Sequence, residues 1–123
     1  MSTPRGSRHL GLGRYGEDVA ARHLVEAGMV VLDRNWRCEL GEIDLVLRDG
    51  AVLVVCEVKT RSSDAYGSPF EAVTATKLHR LRRLGARWVA EHDVRARHVR
   101  IDVVGVLRPR TGPGSVEHVA GVG

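Results

Sequence analysis

Apolar residues recur along the chain with two periods, and the switches between them outline the elements. Ala20, Ala21, Leu24 and Ala27 follow helical spacing, which predicts a helix from about Arg14 to Ala27 stopped by Gly28. Met29-Val30-Val31-Leu32 is a short β-branched run and predicts a strand continuing towards Trp36. A second strand is expected from Glu42 to Arg48 and a valine-rich third from Ala51 to Lys59. Between them Asp49-Gly50 has the form of a two-residue hairpin loop. Arg61 to Gly67 is polar and reads as a loop. Ser68-Pro69-Phe70-Glu71 has the form of a capping box with proline at the first helical position, which suits a short helical turn. Thr74 is placed to cap a longer helix over about Ala75 to His92. A last clear strand covers Val99 to Leu107, and Val116 to Val119 could add a weak edge strand.

The order helix, three strands, helix, strand defines the topology. Consecutive strands joined by a hairpin pair antiparallel, and a strand–helix–strand crossover adds a parallel neighbour. The expectation is an α/β domain with an α-β-β-β-α-β core, a mixed sheet flanked by helices. Residues 1–12 read as a loose arm, 13–107 as the domain and 108–123 as a tail.

The chain has 123 residues, 43% of them hydrophobic and 28% charged, which fits one globular domain with its own core. It contains no long apolar run that would span a membrane. Met1 to Arg8 has no apolar stretch of the secretory type, so cytoplasmic residence is expected. Cys38 and Cys56 have no Cys or His at zinc-ligand spacing and read as reduced thiols. The formal charge of +4 is compatible with a nucleic-acid partner without requiring one.

Taking Asp49-Gly50 as the loop pairs Arg48 with Ala51, sets Asp44 opposite Val55 and sets Glu42 opposite Glu57. Side chains alternate along a strand, so Asp44, Glu57 and Lys59 then share one face. Ile43, Leu45, Leu47, Val52, Val54, Cys56 and Val58 share the other, which reads as the core side. Asp44 and Glu57 become diagonal neighbours at roughly 7–8 Å, within reach of one ion. Two such carboxylates repel unless a cation sits between them. A hard divalent ion, Mg²⁺ first, removes the conflict. Lys59 points the same way and can orient water or stabilise charge growing on a phosphate. The alternative is an exposed face carrying an ordinary ion pair.

Glu17 stands on the helical stripe of Ala20, Ala21 and Leu24. It is either a partner of the metal site or a favourable first-turn carboxylate. Glu42 flanks the site. On the later helix, Leu78, Leu81, Leu84, Gly85 and Trp88 form the packing side and Lys77 sits at its edge. Gly85 in a helix interior points to close packing. Arg80, Arg83 and Arg87 lie opposite, as a solvated face or as phosphate contacts. Asp102 reads as half of an ion pair with Arg100 or another base. Gly11-Leu12-Gly13-Arg14-Tyr15-Gly16 matches G-x-G-x-x-G, but no strand precedes it, so no nucleotide cofactor is expected.

Four blocks carry a resemblance: Gly13-Arg14-Tyr15-Gly16-Glu17, Gly41-Glu42-Ile43-Asp44-Leu45, Cys56-Glu57-Val58-Lys59-Thr60-Arg61 and Gly67-Ser68-Pro69. From about Leu12 to Leu107 the chain resembles the YraN family of small bacterial proteins. That family is similar to a branch of the PD-(D/E)XK nuclease superfamily, closest in form to Holliday-junction resolvases. Ile43 stands where the superfamily's name places proline. The resemblance implies Mg²⁺-dependent endonuclease activity, with Mn²⁺ as substitute, on duplex or branched DNA. It makes Asp44 and Glu57 metal ligands with the Val58 carbonyl, Lys59 the catalytic lysine, Glu17 a helix-borne acid and Lys77 a further helical catalytic residue. Arg61, Lys77, Arg80, Arg83 and Arg37 are the expected contacts to the nucleic-acid backbone. A homodimer is implied because resolvase-like relatives cut paired strands. The alternative is a non-catalytic DNA-binding or DNA-processing accessory protein on the same fold. Few aromatic residues argue against a single-strand stacking platform.

Overall fold

The computed structural model describes residues 7–62 and 73–122, with side chains from residue 12 onward. Its elements run α1 (Ser7–Glu26), β1 (Val30–Cys38), β2 (Gly41–Asp49), β3 (Val52–Arg61), α2 (Ala75–His92), β4 (His98–Leu107) and β5 (Ser115–Val119). The five strands form one sheet in sequence order. β1–β2, β2–β3 and β4–β5 pair antiparallel, while β3–β4 pair parallel. This is the expected α/β core, and the tail strand is present as β5. No helix among the described residues is long and apolar enough to cross a membrane. The helical turn expected at Ser68 to Glu71 lies outside the described residues.

α2 matches its predicted span. The Thr74 hydroxyl accepts the backbone N–H of Lys77 at 3.1 Å, and Asp93 closes the helix in the left-handed conformation. Leu81, Leu84, Gly85 and Trp88 are its buried residues. A Cβ on Gly85 would meet Val55 at 2.8 Å and Val99 at 3.1 Å, so the missing side chain lets α2 lie close on the sheet. α1 begins at Ser7 rather than Arg14. The glycines of the G-x-G-x-x-G match therefore sit inside a helix, and Gly16 packs where a Cβ would collide with the Thr60 hydroxyl.

Two sequence expectations need correction. Asp49 pairs with Val52 and Val46 with Val55, so the hairpin loop is Gly50-Ala51. Gly50 has φ +61° and Ala51 does not have positive φ. A I′ turn over Asp49-Gly50 would need positive φ at both central residues, whereas II′ needs it only at a leading glycine. Each partner moves by two residues, so over the paired stretch Leu45 to Asp49 the facing of side chains survives the shift.

The second correction concerns the core. It lies on both faces of the sheet. Leu45, Leu47, Val54 and Cys56 pack with Ala20, Ala21 and Leu24 of α1. Val46, Leu53 and Val55, on the opposite face, pack with Leu81, Leu84 and Trp88 of α2. Ile43 joins the α2 side, although Leu45 and Leu47 join the α1 side. Strict alternation would put all three together. The alternation therefore breaks between Ile43 and Leu45, at Asp44.

Candidate functional site

The break at Asp44 falls just past the last β2–β3 backbone pair, Leu45 with Cys56. There the Asp44 carboxylate replaces a main-chain acceptor: the Val58 N–H donates to its Oδ2 at 2.8 Å. Asp44 is thus tied to β3 beside Glu57. Burial, followed by the charges of Glu57, Glu17 and Glu42, pushes its pKa up to about 7 despite that hydrogen bond.

Glu57 is only 8% exposed. This excludes the ordinary exposed ion pair as its setting. Lys59 Nζ lies 3.4 Å from its Oε2, and Lys77 Nζ forms an ion pair with the same oxygen. Lys77 reaches it from the first turn of α2, which Thr74 fixes by capping. Burial and then the neighbouring Lys77 ammonium push Lys59 below the ordinary lysine range. Burial opposes the charge of Lys77 too, but its hydrogen bond with Glu57 holds its pKa up.

Glu17 lies mid-helix, because α1 begins at Ser7, so it is not a first-turn carboxylate. Its two oxygens each lie 2.9 Å from the Asn35 Nδ2 of β1. Burial raises the Glu17 pKa, the Asn35 hydrogen bond lowers it, and Glu42 raises it again; the net shift is upward. Asn35 is a site residue that sequence reasoning missed. A signal existed: asparagine is disfavoured within strands, and this one has φ +52°, a conformation asparagine tolerates better than most residues. Glu17 also lines a 160 Å³ cavity with Leu12, Gly13, Val58 and Thr60, beside Asp44's backbone partner.

The expected nucleic-acid contacts scatter. Arg61 ends β3, two residues beyond Lys59. Arg80 and Arg83 are exposed on α2. Arg37 is exposed but bound to Glu42 at 3.0 Å. Asp102 is not part of this cluster. Arg100 holds it with two hydrogen bonds, of 2.8 and 3.0 Å.

The carboxylates of the cluster offer oxygen ligands, which suit a hard cation, and Mg²⁺ commonly uses one or two carboxylates with water. Asp44 and Glu57 supply that pair, and the uncompensated acid charge around Asp44 is what a cation would relieve. Among the described residues, no group of three or more His, Cys, Asp or Glu side chains is placed to hold a metal ion, so any cation would rest on the Asp44–Glu57 pair with backbone and water.

Fold and cluster together define an α/β protein on a restriction-endonuclease-like core, with a half-buried Asp44, a buried Glu57 and two lysines where β2 and β3 cease to pair. The family model described as "Uncharacterised protein family UPF0102" matches residues 16–106, and the chain belongs to that family, the YraN family. It is 67% identical to a UPF0102 protein of a Nocardioides species over 91% of this chain and 90% of the relative. It is 64% identical to one of Beutenbergia cavernae over 91% and 95%, and 58% identical to one of Streptomyces coelicolor over 90% and 87%.

Proposed function

We propose that this protein is a metal-dependent endonuclease that hydrolyses phosphodiester bonds in DNA, duplex or branched. The observation that carries the reading is Asp44: a half-buried carboxylate with one hydrogen bond, crowded by Glu57, Glu17 and Glu42. Such uncompensated charge is costly to stability and is characteristic of functional sites. A divalent cation, Mg²⁺ or Mn²⁺, held by Asp44, Glu57 and the Val58 carbonyl would neutralise phosphate charge and acidify a water molecule. Lys59 orients water or a phosphate oxygen from beside Glu57. Lys77 fixes Glu57 from the α2 side, and Glu17 adds negative charge from α1. Arg61, Arg80 and Arg83 supply positive charge for the backbone of the nucleic acid.

A second reading is a DNA-binding accessory protein that does not cut. The double engagement of Glu57 by Lys59 and Lys77 favours it, because the carboxylate is already neutralised without a metal. One experiment separates the two. Purified protein is incubated with linear, flapped and four-way-junction DNA, with Mg²⁺, Mn²⁺ or EDTA, beside Glu57→Ala. The nuclease reading expects cleavage that needs the metal and is lost in the variant. Cleavage surviving in Glu57→Ala overturns the assignment. Binding without metal-dependent cleavage establishes the accessory reading instead.

A further inference from the structure

Four described arginines are neutralised by carboxylates. Arg34 pairs with Asp18, Arg37 with Glu42, Arg87 with Glu39 and Glu91, and Arg100 with Asp49 and Asp102. Arg108 is different. Its guanidinium lies 4.4 Å over the ring of Tyr15, and it meets no carboxylate among the described residues.

Arg108 stands just past the carboxyl end of β4, the strand that runs parallel beside β3, with its side chain on the α1 side of the sheet. It follows Leu107, which pairs with Arg61 at the end of β3, and its N–H donates to the Arg61 carbonyl at 2.8 Å. At about 3.3 Å per residue, it sits roughly 10 Å beyond Lys59 along the parallel strands. The carboxyl ends of parallel strands are where open α/β sheets bind their ligands. The shelf under it is firm. Tyr15 packs against the α1-side core, and its neighbour Gly16 fits tightly on Thr60. Arg110, two residues further, is exposed and adds positive charge.

A ring face holds a guanidinium through its π-cloud and leaves the in-plane N–H donors unspent. That is the arrangement a bidentate contact to phosphate needs, with the side-chain orientation settled in advance. A merely structural stacking pair would be indifferent to a polyanion.

We propose that Arg108, shelved on Tyr15, grips a DNA backbone phosphate beyond the carboxyl ends of β3 and β4, on the α1 side of the sheet. This rests on the nuclease reading for its ligand. The test is binding of a labelled DNA duplex to the full chain in EDTA, followed by fluorescence anisotropy over a salt series. Arg108→Ala should weaken binding several-fold and make the slope of log K against log salt shallower by about one. Arg108→Lys should fall between, keeping charge but losing the fork. Tyr15→Leu removes the ring and should weaken binding in the same direction, whereas Arg34→Ala should bind like the wild type. Wild-type affinity and slope in Arg108→Ala overturn the grip while leaving DNA binding intact. Wild-type affinity and slope in Tyr15→Leu remove the ring as the shelf. Absence of salt-dependent binding by the wild type sinks this proposal together with the DNA reading beneath it.

Discussion

Asp102 and Asp44 are both carboxylates taken largely out of water, on strands of one sheet, and they are treated in opposite ways. Asp102 is fully buried and fully answered. Arg100 donates to both oxygens, His118 Nε2 lies 2.8 Å from Oδ2, and the Gly121 N–H donates to Oδ1 at 3.0 Å. Burial alone would raise its pKa, but these partners hold it below the ordinary aspartate value. Asp44 has one backbone donor and three acidic neighbours, and its pKa rises to about 7. A buried charge serving architecture comes with its counter-charges built in. One left short of them is available for a ligand. The contrast separates a structural acid from a functional one on physical grounds, within a single domain.

The largest effect should come from breaking the answered site. Asp102→Ala takes two hydrogen bonds from Arg100, leaving it Asp49, and strands the Gly121 N–H, and removing one partner of a buried pair costs up to about 3–5 kcal/mol. Urea unfolding should show that loss, with DNA cleavage by the remaining folded protein retained. A variant of wild-type stability would mean that Asp102 and Asp44 do not differ in kind.

The pH dependence should separate the two acids in sign. Asp102 has a depressed folded pKa, so it stabilises above the ordinary aspartate value of 3.8, and this is lost as pH falls through its lower folded value. Asp44 has a raised folded pKa. Its contribution is fully present below 3.8 and is lost as pH rises to about 7. Without divalent cations, Asp44→Asn should therefore gain stability on the wild type between about pH 4 and pH 7. The gain should be on the order of 1 kcal/mol at the upper end, since asparagine can still accept the Val58 N–H. Thermal melts across that range measure it. Added Mg²⁺ should raise the wild-type melting temperature and leave the variant's nearly unchanged. A variant that melts lower than the wild type at neutral pH would place Asp44 with Asp102 as a structural acid.

Sequence pattern reached these two acids unequally. Asp102 alternates with Ile101 and Val103, and its ion pair with Arg100 was legible from that spacing, whereas His118 and Gly121 come from the tail and only folding brings them in. For Asp44 the expected register rested on the wrong loop, because Gly50 can lead a II′ turn as readily as it can close a I′ turn. The switch of Ile43 to the α2 side is a local break in the strand, and no hydrophobic period announces one. α2 was legible to the residue because a cap and a helical stripe agree. Arg108 on Tyr15 joins positions 93 apart in the chain, which no motif or period connects.

The smallest expected effect sharpens the comparison most, because it separates position from charge. Asn35 does for Glu17 what nothing does for Asp44: it supplies a neutral donor to both oxygens, from a backbone with φ +52°. Asn35→Ala should cost about 1–2 kcal/mol, since alanine must hold a left-handed conformation while the hydrogen bond is lost. Asn35→Gly adopts that backbone without strain, so its loss should be limited to the hydrogen bond, about 0.5–1 kcal/mol. If Glu17 belongs to the functional cluster, both variants should weaken Mg²⁺ binding measured by calorimetry to a similar extent, although their stabilities differ. If Asn35 only shapes β1, Mg²⁺ binding by Asn35→Gly should equal that of the wild type, and Glu17 would then join Asp102 among the acids that hold the fold.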